Sequence, residues 1–100
     1  MNIVILKEIG TSLHVSKRLP NISGPVPRFL EVLNLPAEIQ IELKAPDGFI
    51  VVSVTYEIEN NVLIPTVDCL PFLGEESIPD LIRKFRHYIV EKAPEEDEED

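Results

Sequence analysis

Cysteine occurs once in this chain, at Cys69, tryptophan is missing, and the 100 residues include only four glycines. A single thiol excludes an intramolecular disulfide, and no Cys/His spacing fits a zinc site. Gly10, Gly24, Gly48 and Gly74 match no phosphate-cradling pattern. Long apolar runs are lacking as well. The opening run of residues 3–6 is broken by Lys7 and Glu8, too soon for a signal peptide, and nothing approaches the roughly 20 apolar residues of a membrane span. These absences lead to the expectation of a cytoplasmic protein in a reducing compartment, with no cofactor.

Positive charge is scarce, and its placement is uneven. Lysine and arginine number 9 against 18 acids, giving a formal net charge of -9. Residues 1–40 carry Lys7, Lys17, Arg18 and Arg28 against Glu8, Glu31 and Glu38, a net +1; the remaining sixty carry five cations against fifteen acids, a net -10. Six of those acids are the last six residues, after Pro94. A run of like charge with nothing apolar to bury is expected to be a disordered, solvated tail.

What is present is enough for one domain with a modest core, since 44% of the residues are hydrophobic. Residues 3–6 read as a short strand, and Leu13 and Val15 alternate with polar neighbours in a second, with Gly10 and Thr11 as the turn between them. The proline-rich PNISGPVP is a loop. Pro27 suits a first helical turn, Phe29, Leu30 and Leu33 make one apolar face, and Asn34 suits the end of that helix. Ile39, Ile41 and Leu43 alternate with Gln40, Glu42 and Lys44, which predicts a strand. Ala45-Pro46-Asp47-Gly48 is a reversal into a long strand ending at Asn60-Asn61, and residues 62–67 return from it. Pro65, with no amide to donate, places that returning strand at an edge or near its end. Ser77 and Asp80 resemble a capping box for an amphipathic helix bearing Ile78, Leu81, Ile82, Phe85 and Ile89 on one side. The expected fold is α+β: a small, mostly antiparallel sheet in the order β-β-α-β-β-β-α, with a C-terminal amphipathic helix and a disordered acidic tail.

Catalytic groups do not assemble in the sequence. Cys69 has no motif around it and reads as a small buried apolar residue. His14 falls on the polar side of a strand and His87 on a basic helix surface, each without a partner. The acidic tail lacks the spaced ligands and glycine turn of a calcium loop. The expectation is a protein that is not an enzyme. Lys7, Lys17, Arg18 and Arg28 could together contact phosphates, or could be ordinary solubilising surface charges. Arg83, Lys84 and Arg86 are placed to pair with the tail that follows them.

The order of elements in ILKEIGTSLHVSKRLP, FLEVLNL and IQIELKAPDGFIVVSV resembles the AbrB-type swapped-hairpin DNA-binding domains, to which the MazE-type antitoxins belong, over roughly residues 3–54. Gly10-Thr11-Ser12-Leu13 stands for the family's turn, Leu19-Pro20 for its strand end, Leu33-Asn34-Leu35 for its helix end and Asp47-Gly48 for its hairpin. Residues 21–26 are an insertion, Pro36-Ala37-Glu38 replaces Gly-Asp, and Lys17-Arg18 stands where one arginine is usual. LPFLGEESIPDLIRKFRHYIVE also looks like the end of HicB-type antitoxins, which implies a sheet-plus-helix architecture.

The AbrB-type resemblance implies an intertwined dimer whose amino-terminal part binds operator DNA while an acidic carboxy-terminal region blocks a toxin. Read this way, residues 1–93 are one domain, with an AbrB-like portion at 1–54 and a hairpin strand and helix at 55–93, and residues 94–100 are the tail. Lys7, Lys17, Arg18 and Arg28 are the DNA-contacting candidates. Phe72, Leu73, Phe85, Glu95, Glu96 and Asp97 are the candidates for a protein partner. The alternative is an acidic interaction or inhibitor module, a nucleic-acid mimic or subunit of a larger complex, that never binds DNA.

Overall fold

The structure, a computed structural model, describes residues 1–92. Strands β1 (Asn2–Ile9), β2 (Ser12–Leu19), β3 (Val32–Leu33), β4 (Phe49–Glu59) and β5 (Val62–Pro71) form one sheet in the order β2-β1-β5-β4-β3. Helix α1 (Ala37–Glu42) precedes β4, and a single 3-10 turn (Glu75–Ser77) leads into α2 (Ile78–Lys92). β1 and β5 run parallel and every other pairing is antiparallel. The fold is α+β with a mostly antiparallel sheet, as expected. The acidic tail, with Glu95, Glu96 and Asp97, lies outside the described residues.

β1 is covered on both faces, which explains why its apolar run does not alternate. Its Ile3, Val4, Ile5 and Leu6 are all buried, because a strand covered on both faces presents apolar side chains to each. Val4 and Leu6 meet Leu81 and Phe85 of α2 on one face. Ile3 and Ile5 meet Phe49, Val51 and Cys69 on the other, beneath the chain from Leu19 to Ala45 that includes α1. The sheet therefore has an α2 face and an α1 face, each closed by its own cover.

Two expected elements exchange places. The helix expected to begin at Pro27 is instead a turn, with Leu30 at φ 70°, followed by β3. The edge of β4 decides this: its Val51 amide and carbonyl would be left unpaired, and they bond to Glu31 O at 2.9 Å and Leu30 N at 2.7 Å. Conversely, the strand expected from the alternation of Ile39, Ile41 and Leu43 is α1. Ile39 and Leu43, four residues apart, share one helical face and pack on the α1-side core, while Ile41 projects into solvent. Alternating and helical patterns coincide for the pair Ile39 and Leu43, so a six-residue element carries both periods. The turn 45–48 forms as expected, but it joins α1 to β4, not two strands.

The β4–β5 turn follows its sequence closely. Asn60 and Asn61 have φ 53° and 66°, and Glu59 pairs with Val62 across them, the two-residue geometry whose twist suits a hairpin. The α2 start differs from the expected capping box. Ser77 Oγ donates to Gly74 O at 2.6 Å, and Asp80 pairs with Arg83 and Lys84. The buried stripe of α2 is Leu81 and Phe85, flanked by Ile78 and Tyr88, with Ile89 nearly half exposed.

Candidate functional site

The four N-terminal cations are dispersed by the sheet. Strand side chains alternate between faces; Lys17 stands opposite Ile5 on the α1 face, and Arg18 stands opposite Val4 on the α2 face. Lys7, opposite His14, shares the α1 face with Lys17. Arg28 lies beside β4, beyond β1 and β5 from the β2 edge: the neighbouring Leu30 bonds Val51, and Arg28 shares an open cleft with Phe29, Val54 and Tyr56.

Each charge in the Lys17-Arg18 pair also answers to a carboxylate of the same chain. Lys17 Nζ is 3.5 Å from Glu42 Oε1 of α1. Arg18 shares a cross-strand row with Val4, Asp68 and Ser53, and its charge acts on Asp68. The local excess of positive charge seen along the sequence is thus partly neutralised in space.

Asp68 is the most perturbed carboxyl of the described residues. Burial pushes its pKa up to about 6, and Arg18 only partly offsets this. Next to it, the Cys69 thiol is pushed up to about 12, first by burial and then by Asp68; it contacts Val4 O at 3.7 Å. A thiol so protonated is a poor nucleophile, in keeping with the core role expected for it.

The Asp68 shift carries a sign. A carboxyl with a folded pKa near 6 and an unfolded value near 3.8 holds its proton more tightly when folded. Its contribution therefore favours folding below about pH 4, falls as pH rises from about 4 to 6, and is level above that. Asp68→Asn is expected to raise stability at pH 7 by about 1 kcal/mol, the cost of charging a half-buried carboxyl that solvent still partly screens. The variant should also lack that decline, so its advantage over the wild type grows between pH 4 and pH 7. Urea unfolding of both proteins at pH 4 and pH 7 measures this; an equal difference at the two pH values would refute it.

The candidate partner contacts separate in the same way. Phe85 is only 7% exposed and belongs to the core under α2, so it cannot serve as a docking anchor; its helical spacing already placed it on the apolar stripe. Phe72 is half-buried against the same cluster. Leu73 is 66% exposed, with exposed Glu75 and Glu76 just beyond it. Two of the α2 cations expected to meet the tail pair within the described residues, Arg83 with Asp80 and Lys84 with two carboxylates. Lys84 Nζ bonds Glu8 Oε1 of β1 at 2.8 Å and Asp80 Oδ2 at 3.0 Å, and these bonds, Glu8 first, hold the amine above its ordinary range. They pin α2 to the β1–β2 hairpin.

A surface that the sequence reading passed over is the outer half of the β4–β5 hairpin, where Tyr56, Ile58, Val62 and Leu63 are all more than half exposed. Their alternation was legible, but it reads equally as a buried face. Among the described residues no group of three or more His, Cys, Asp or Glu side chains is placed to hold a metal ion, and no helix is long and apolar enough to cross a membrane. Comparison of the chain with protein-family models, with curated proteins and with solved structures finds no match.

Proposed function

We propose that the protein is a small, non-enzymatic interaction module of the antitoxin kind, working in the reducing cytoplasm, that docks on a basic surface of a partner protein. The supporting observation is the dispersal of Lys7, Lys17, Arg18 and Arg28 over two faces and opposite sides of the sheet, with Lys17 facing Glu42 and Arg18 facing Asp68. Phosphate contacts that position a protein on DNA need several cations aimed at one backbone. The acidic carboxy-terminal sixty residues have the opposite character. Leu73 offers an exposed apolar anchor flanked by Glu75 and Glu76, a combination suited to a cationic partner with a small apolar recess.

The AbrB-like reading, an operator-binding dimeric regulator, stands second. It draws on Lys7 and Lys17, which share the α1 face two rows apart. Heparin and duplex-DNA columns at about 50 mM salt separate the two readings, since cation-driven binding is strongest at low salt. The wild-type protein is expected to pass through both unretained. Retention that disappears in the Lys17→Glu, Arg18→Glu double variant would overturn the first reading in favour of the second.

A further inference from the structure

Past Asn2 opposite Thr66, the last rung between β1 and β5, and past Val32 opposite Ile50 at the β3 edge, the β4–β5 hairpin continues alone to Asn60 and Asn61. Its register sorts the side chains. Tyr56 stands opposite Pro65 and Ile58 opposite Leu63 on the α1 face, whereas Glu57 stands opposite Ile64 and Glu59 opposite Val62 on the α2 face. One surface of this arm is free of charge, and both acids are on the other. On the uncharged surface Tyr56 is 55%, Ile58 71% and Leu63 62% exposed, and Phe29 near its foot is 54% exposed. A lone two-stranded ribbon is marginal in water, and a contiguous apolar patch of this kind marks a contact surface.

We infer that the uncharged face of the arm is covered by the same face of a second copy of the chain, arm upon arm about a twofold axis. In that arrangement one patch serves both copies. Glu57 and Glu59 point away from the contact on each side, so the arms' own acids are not brought together despite a net charge of -9 per chain, and Arg28, in the cleft beside Phe29 and Tyr56, lies at the margin of the patch. Four large side chains per copy, each more than half exposed, give a contact on the order of 1,000 Å² in total, about where specific interfaces begin. A basic partner would call for carboxylates within the patch, and the register directs both of the arm's acids to the opposite face. The inference is separate from the docking surface at Leu73, which lies at the other end of β5.

Sedimentation velocity of the full chain between about 1 and about 100 µM tests this, because a dimer follows mass action. A dimer is expected, and its dissociation constant should fall roughly threefold or more between about 50 and about 500 mM NaCl as the mutual repulsion is screened. Ile58→Lys with Leu63→Lys should weaken association at least tenfold while leaving the thermal unfolding of the monomer unchanged, since both side chains face solvent in it. Val62→Lys, on the acid-bearing face, should leave association intact. A wild-type monomer at both salt concentrations, or a Val62→Lys variant as impaired as the double variant, would overturn the inference. A dimer weakened by added salt would equally refute it, indicating contacts between opposite charges.

Discussion

Phe85→Ala is expected to destabilise the protein by about 3–5 kcal/mol, the range for removing a buried aromatic ring. The ring is 7% exposed, packs with Val4, Leu6 and Leu81, and has Tyr88 beside it at a centroid separation of 6.1 Å. For a domain of this size each kcal/mol moves the melting temperature by roughly 4–8 °C, so a loss on the order of 20 °C should be visible in a thermal melt. The size of the effect has a structural cause: α2 is held to the sheet by a narrow stripe, and Phe85 is the largest fully committed side chain in it. Leu73→Ala is the contrasting variant. With its side chain 66% exposed, it should change stability by less than about 0.5 kcal/mol. If Phe85→Ala melted like the wild type, α2 would not be docked as described, and Phe85 would again be available to a partner.

The second large effect is expected at Gly48, where the chain leaves α1 and enters β4. Its φ is 88°, and an added Cβ would lie 2.6 Å from Leu33 O, 3.0 Å from Asn34 Oδ1 and 3.2 Å from Val32 Cγ1. Two penalties therefore combine in Gly48→Ala. A left-handed backbone costs an alanine about 1–2 kcal/mol, and the close approach to a backbone oxygen forces β3 away from β4. A total of about 3 kcal/mol or more is expected, measured by urea unfolding. Faster hydrogen exchange at the Val51 amide, which bonds Glu31 O, should accompany it. Gly10→Ala provides the comparison, since Gly10 also has a positive φ, 64°, but a Cβ there meets nothing within 4 Å. Only the backbone penalty applies at Gly10. Equal losses at the two positions would mean that the β3 contact contributes nothing.

Gly48 also marks where sequence reading and structure part. A proline-aspartate-glycine turn was legible because its dihedral demands are local. Which elements it joins was not legible, because that depends on a strand edge elsewhere in the chain. The same holds for the charges. Lys17 and Arg18 are neighbours in sequence and read as one patch, yet a strand sends consecutive side chains to opposite faces. Their carboxylate neighbours, Glu42 and Asp68, are 25 and 50 positions away, beyond the reach of any local pattern.

The amino-acid sequence by itself determined the α+β class, the Asn60-Asn61 hairpin and the amphipathic α2, because each rests on dihedral preference or on a periodicity sustained over enough residues. Tertiary structure alone decided that residues 37–42 coil into a helix while Val32 and Leu33 extend as a strand, since both segments are short enough for either conformation and the unpaired rim of β4 selected between them. It also decided which face each charge and each apolar side chain presents, and so left the β4–β5 arm bare while Phe85 was enclosed. Burial is a property of what folds over a residue, and that partner is named nowhere in the residue's own neighbourhood.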